Sequence, residues 1–133
     1  RRPPRSTQAH TLFPYTTLTD LCGAVIECGG LCIPSHVDRP AMSILSQLGR
    51  VPDLPFDAVE VSAAYDRQRD PAGLRGRWAM IRTSDAHRPE EIGRGWTDLP
   101  IERARVTDLR TGLCELRDRQ RHDPDAGLSP VGL

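Results

Sequence analysis

The sequence predicts an α/β fold with mainly parallel strands. Three observations carry this expectation. Short apolar runs, "LCIPSH", "FDAVEVS" and "RWAMIRTS", alternate with stretches of helical or loop character. The runs lack the in/out alternation of a half-exposed sheet, as expected for strands buried on both faces. The order helix, strand, helix, strand, helix, strand, helix is the pattern of a sheet with crossover connections.

The elements follow in order. Residues 1–19, "RRPPRSTQAHTLFPYTTLT", hold three prolines and no amphipathic period, and are expected to be a disordered leader. Within it, "TLFPYTTL" at 11–18 resembles the translation of a sequencing-adaptor oligonucleotide, which implies a non-native stretch and a true N-terminus missing from the chain. From Thr19 the pattern becomes helical: Thr19 or Asp20 caps, Leu21, Val25 and Cys28 share a face, and Gly29-Gly30 stop the helix. "LCIPSH" is then a buried strand ending at His36. "SILSQLG" is a short helix with Ser43 as cap and Gly49 as stop. "FDAVEVS" is the next strand. "AAYDRQRDPAGL" is a helix or charged loop broken by Pro71 and Gly73. "RWAMIRTS" is a third strand, "DAHRPEEIG" turns into a short helix, and "RGWTDLP" is a candidate last strand. "RVTDLRTGLCELRDRQ" is an amphipathic helix presenting Val106, Leu109, Leu113 and Leu116 on one face. Residues 119–133 are expected to be a disordered tail, leaving 20–118 as the α/β domain.

Composition narrows the function classes. The 133 residues suffice for one small domain. Formal net charge is zero, which argues against bulk attraction to nucleic acid or an anionic membrane. No apolar run is long enough to span a bilayer and no signal peptide opens the chain, so the expected location is cytoplasmic. Cys22, Cys28, Cys32 and Cys114 are then expected to be free thiols.

In open α/β sheets, ligands bind at the carboxyl ends of the strands. His36, Glu60, and Asp85 with His87 fall at three successive strand ends, and so on one rim. Asp-x-His alone is better explained by Asp85 capping the following helix. With His36 beside it, the set suits Zn, Mn or Fe, which imidazole and carboxylate both bind. Glu60 is read as a brace of the strand end rather than a ligand.

The stretches "GGLCIPSHVDRPAMSILSQLG", "LPFDAVEVS" and "RTSDAHRPEEIGRGWT" together resemble the PHP (polymerase and histidinol phosphatase) family over roughly residues 20–118. The resemblance implies the C-terminal part of a distorted (β/α)7 barrel. It also implies a metal-dependent phosphoesterase, in which a metal-activated water attacks a phosphate ester. His36 matches the metal-binding His of the family's third motif, and Asp85 and His87 the Asp-x-His pair of its fourth. Arg39, shortly after His36, could hold a substrate phosphate through its guanidinium fork. The implied cofactors are divalent ions, as many as three in an intact site. The implied partner is a phosphorylated small molecule or nucleotide.

One departure qualifies the match. Such enzymes open with a His-x-His pair at the end of their first strand, and this chain has none; the only histidine before His36 is His10, inside the leader. His36, Asp85 and His87 would then be ligands of different metals. The expectation is a fragment inactive alone, with marginal stability, self-association through open sheet edges, or dependence on the missing half. Two rivals come from other classes. Cys22, Cys28, Cys32 and His36 could form a structural zinc site, although no Cys-x-x-Cys knuckle is present. Alternatively, the C-terminal helix could make a non-catalytic interaction module.

Overall fold

The computed structural model describes residues 15–130. The elements in chain order are helix α1 (Tyr15–Glu27), helix α2 (Ile44–Leu48), strand β1 (Ala58–Glu60), strand β2 (Ala79–Ile81), a 3-10 turn (Pro89–Glu91) and helix α3 (Val106–Gln120). The α/β class is as expected. The sheet consists of two parallel strands, with Ala58 opposite Ala79, Val59 opposite Met80 and Glu60 opposite Ile81. A barrel is not part of the described architecture.

The expected strand "LCIPSH" is not a regular strand, and its proline explains why. Residues 32–37 run alongside β1 in the same direction, with Asp57 N–H donating to Cys32 O (2.9 Å), Glu60 N–H to Pro34 O (3.0 Å) and Val37 N–H to Glu60 O (2.9 Å). Pro34 has no N–H to return, so the ladder stays incomplete. The segment nonetheless occupies the place of a third parallel strand beside β1. The expected strand "RGWTDLP" contributes only one antiparallel bridge, Thr97 to Leu128. The stretch 63–74 is a turn-rich loop rather than a helix. It is organised by Asp70, which accepts the Tyr65 hydroxyl (2.6 Å) and the amides of Leu74 (2.8 Å) and Arg75 (3.0 Å).

Helix α2 follows its local code. Ser43 and Ser46 exchange side-chain-to-amide bonds as a capping box, and Gly49 ends the helix at φ +70°. Helix α1 begins at Tyr15, inside the stretch 1–19 set apart as leader, and therefore takes in residues 15–18 of the adaptor-like segment. Residues 1–14 lie outside the described part. The tail expectation is corrected more fully. Residues 121–130 are packed: Asp98 N–H donates to Gly127 O (2.7 Å), Ser129 N–H to Trp96 O (3.1 Å), and Ser129 is buried. Residues 131–133 lie outside the described part.

Strand alternation sorts the core into two clusters. Val59, Val61 and Met80 face one way, with Cys22, Val37, Phe56, Leu74 and Trp78. Ala58 and Ala79 face the other, against Leu113 and Leu116 of α3. The small alanines let α3 lie close on β2. At its C-terminal end, buried Gln120 completes the strand as a neighbour would: its side-chain oxygen accepts Met80 N–H and its amide donates to Met80 O, both at 2.8 Å. A β-carbon at Gly112 would stand 2.5 Å from Ile101 Cγ2, so glycine there lets the segment before α3 cross the helix. Val106, expected on the buried face, is 43% exposed.

Candidate functional site

The parallel direction of segment 32–37, β1 and β2 brings their carboxyl ends to one rim. His36, Glu60 and Asp85 meet there, as the strand-end argument expects. His36 lies between two carboxylates: Nδ1 is 3.2 Å from Glu60 Oε2 and Nε2 is 3.2 Å from Asp85 Oδ1. Glu60, 5% exposed, also accepts the hydroxyls of Ser35 and Thr83. These hydroxyls fix the carboxylate, and the carboxylate fixes the imidazole. Glu60 thus braces His36, and Ser35 and Thr83 are additions that no spacing announced.

The backbone at the rim is unusual. His36 (φ +42°) and Asp85 (φ +47°) are two of four non-glycine residues in the left-handed region among the described residues. Such conformations cost on the order of 1–3 kcal/mol each and persist where surrounding contacts hold them, often at functional sites.

Asp85 does not cap the following turn. The N-cap residue of that turn is Arg88, which makes no side-chain cap, and it is Glu91 that accepts His87 N–H (2.9 Å). The Asp85 carboxylate instead receives Arg39 Nη2 and contacts His36. The Arg39 hydrogen bond, aided by the positive potential of His36, Arg39 and His87, holds the Asp85 carboxyl below the usual carboxylate range against a desolvation that opposes it. Arg39, expected to face a phosphate, is thus engaged by Asp85. His87 is exposed, and its Nδ1 lies 2.7 Å from Asp85 O, an arrangement that leaves Nε2 without a partner among the described residues.

An open pocket lies over these groups, with His36, Arg39, Glu60, Arg82, Asp85, His87 and Arg94 among its lining residues. Arg82 is a second addition to the sequence reading: it is buried and lines the pocket, and the apolar run around it gave no sign of this.

The donors fit a divalent cation in part. Two ligands sharing one ion at about 2.1 Å each stand roughly 3.0–3.4 Å apart. The His36 Nε2 to Asp85 Oδ1 separation of 3.2 Å lies in that range. A carboxylate behind the other ring nitrogen is the usual support of a metal-binding histidine. Among the described residues, however, no group of three or more His, Cys, Asp or Glu side chains is arranged to hold a metal ion. The pair alone falls short of a ligand set. The cysteine alternative is not assembled either: Cys22 and Cys32 touch (Sγ–Sγ 2.8 Å), but Cys28 is exposed and His36 is committed to the carboxylates.

Among the described residues, no helix is long and apolar enough to cross a membrane. No curated protein and no solved structure matches the chain. Residues 79–115, which hold β2, the Asp85–His87 turn and the first two-thirds of α3, match the PHP-associated family model.

Proposed function

We propose that this chain carries part of the active-site rim of a metal-dependent phosphoesterase, with His36, Asp85 and His87 as metal ligands. The observation that carries the reading is the His36–Asp85 pair at ligand-edge separation, braced by buried Glu60. A divalent ion (Zn, Mn or Fe) would supply Lewis acidity and an activated water for hydrolysis of a phosphate ester. The chain's own residues orient and neutralise. Glu60 holds the His36 ring so that Nε2 faces Asp85, the Asp85 backbone carbonyl holds His87 through Nδ1, and Arg39 keeps Asp85 ionised and aimed. Segment 32–37, β1 and β2 are read as consecutive staves of a distorted (β/α)7 barrel, and further ligands would come from beyond the described residues. The substrate class is a phosphorylated small molecule or nucleotide.

This reading expects Mn or Zn to bind weakly through the pair, with phosphate release from monoesters near background for this chain alone. Hydrolysis assays with and without added metal, beside Asp85→Asn, test it. Metal uptake indifferent to Asp85, or turnover that needs no metal, contradicts it. A non-catalytic binding module would take up neither metal nor phosphate ester.

A further inference from the structure

Arg82 is the one cation at the pocket that is both buried and without a carboxylate. It is 7% exposed, and among the described residues no carboxylate lies within ion-pair distance of it. Each acidic group in the same pocket is already engaged. Glu60 holds Ser35, Thr83 and His36, Asp85 holds Arg39 and His36, and Glu91 accepts His87 N–H. Burying a guanidinium without a counter-charge is costly, so such a group needs other partners or a ligand.

Its known partners account for one nitrogen. Nη1 donates to the backbone carbonyls of Ser129 and Pro130, both at 3.2 Å. The backbone of Arg82 is fixed separately: its N–H donates to Thr97 Oγ1 and its carbonyl accepts the same hydroxyl, both at 2.8 Å. The residue is therefore immobilised from two sides. Nε and Nη2, the side-on fork that pairs with two oxygens of a phosphate, have no partner among the described residues. Gly95 passes beside this fork: a β-carbon there would lie 3.4 Å from Arg82 Nε and 2.6 Å from Thr83 O.

We propose that Arg82 is the phosphate-anchoring residue of this pocket, binding the dianion of a phosphate monoester through Nε and Nη2, with exposed Arg94 as the outer contact. Tail carbonyls alone would require only a hydrogen-bond donor, which a neutral side chain supplies without a buried charge. A tetrahedral dianion supplies the missing counter-charge and matches the fork bidentately. Arg39 is a poorer anchor, because Asp85 already occupies its guanidinium. The assignment rests on the phosphate-ester reading for its substrate class, but anion binding at Arg82 requires no metal.

The test is a titration of the isotope-labelled, chelator-treated chain with inorganic phosphate, followed by amide and arginine Nε–Hε resonances. The expected result is saturable shifts at Thr83, Ser84 and one arginine side chain. Arg82→Gln should weaken binding roughly 10-fold or more, the equivalent of one charge-assisted pair. Arg82→Lys should weaken it as well, since charge without the fork is insufficient, and Arg39→Gln should weaken it less than either. If Arg82→Gln does not fold, the wild-type shifts together with Arg82→Lys decide. No shifts in the wild type, full affinity in Arg82→Lys, or greater loss in Arg39→Gln overturns the assignment. Phosphate binding through Arg82 in a chain that takes up no Mn or Zn would sink the metal reading and leave the anchor standing. Metal uptake at Asp85 with phosphate binding indifferent to Arg82 would do the reverse.

Discussion

Replacing Glu60 separates the brace from the ligands it supports. Glu60 accepts two hydroxyls, from Ser35 and Thr83, and contacts His36 Nδ1 at 3.2 Å. Hydrogen bonds to a charged group contribute about 1.5–3 kcal/mol each. Ser35 and Thr83 are exposed residues, so their hydroxyls recover water once the carboxylate is gone. The net loss in Glu60→Ala is therefore about 2–3 kcal/mol, well below the gross sum. Glu60→Gln keeps the shape and one acceptor oxygen, and the hydroxyl of Thr83 or Ser35 can turn to accept from the new amide, so its loss is about 1 kcal/mol. Urea denaturation followed by the fluorescence of buried Trp78 measures both. Ring nitrogen shifts of His36 supply a second readout: Glu60 and Asp85 compete for the ring hydrogen, and Glu60→Ala should shift the population toward the tautomer with hydrogen on Nε2. A Glu60→Ala variant within about 0.5 kcal/mol of wild type, with an unchanged His36 tautomer, would refute the reasoning.

Four further outcomes are expected. Gln120→Leu leaves Met80 N–H and C=O unpaired inside the protein and should cost about 3–4 kcal/mol by denaturation; a loss under about 1 kcal/mol would mean that water or a shifted strand replaces the amide. Gly112→Ala should cost about 1–3 kcal/mol, because its β-carbon meets Ile101 at 2.5 Å, whereas helix propensity alone would make the change stabilising. Burial pushes the Asp70 carboxyl up, but the Tyr65 hydroxyl and the Leu74 and Arg75 amides outweigh it and hold the pKa below the ordinary value. The stability Asp70 contributes is thus complete above the unfolded value of about 3.9 and is lost as pH falls through the lower folded value; the urea midpoint should fall more steeply below about pH 4 in wild type than in Asp70→Asn, and equal slopes would contradict this. In the native chain, exposed Cys28 and Cys114 should react with a thiol reagent well before Cys22, which is buried, and Cys32, whose thiol is pushed up to about 12 by burial and by its contact with Cys22; four equally fast thiols would contradict the packing of α1.

Features governed by local rules were legible in the sequence. Ser43 and Gly49 bound α2 because a cap and a left-handed stop act within a few residues. Strands β1 and β2 lie inside their apolar runs, and the α/β order placed His36, Glu60 and Asp85 on one rim. What the pattern missed depends on distant partners or on polar groups inside the core. Pro34 interrupts a ladder that the apolar run around it suggested. Gln120 is polar, so a hydrophobic period places the buried face of α3 toward Val106 instead of toward the amide that completes β2. The order of residues 121–130 comes from bonds to Trp96, Asp98 and Arg82, far away along the chain. The engagement of Arg39 with Asp85 likewise spans the whole rim.

The central claim is that His36 and Asp85 form one edge of a metal site. Metal content of the purified chain after dialysis against manganese or zinc, beside His36→Ala, Asp85→Asn and His87→Ala, tests it most directly. The account predicts metal above background in the wild type, lost in His36→Ala and Asp85→Asn and reduced in His87→Ala. Background metal in the wild type, or uptake unchanged by His36→Ala and Asp85→Asn, would contradict it.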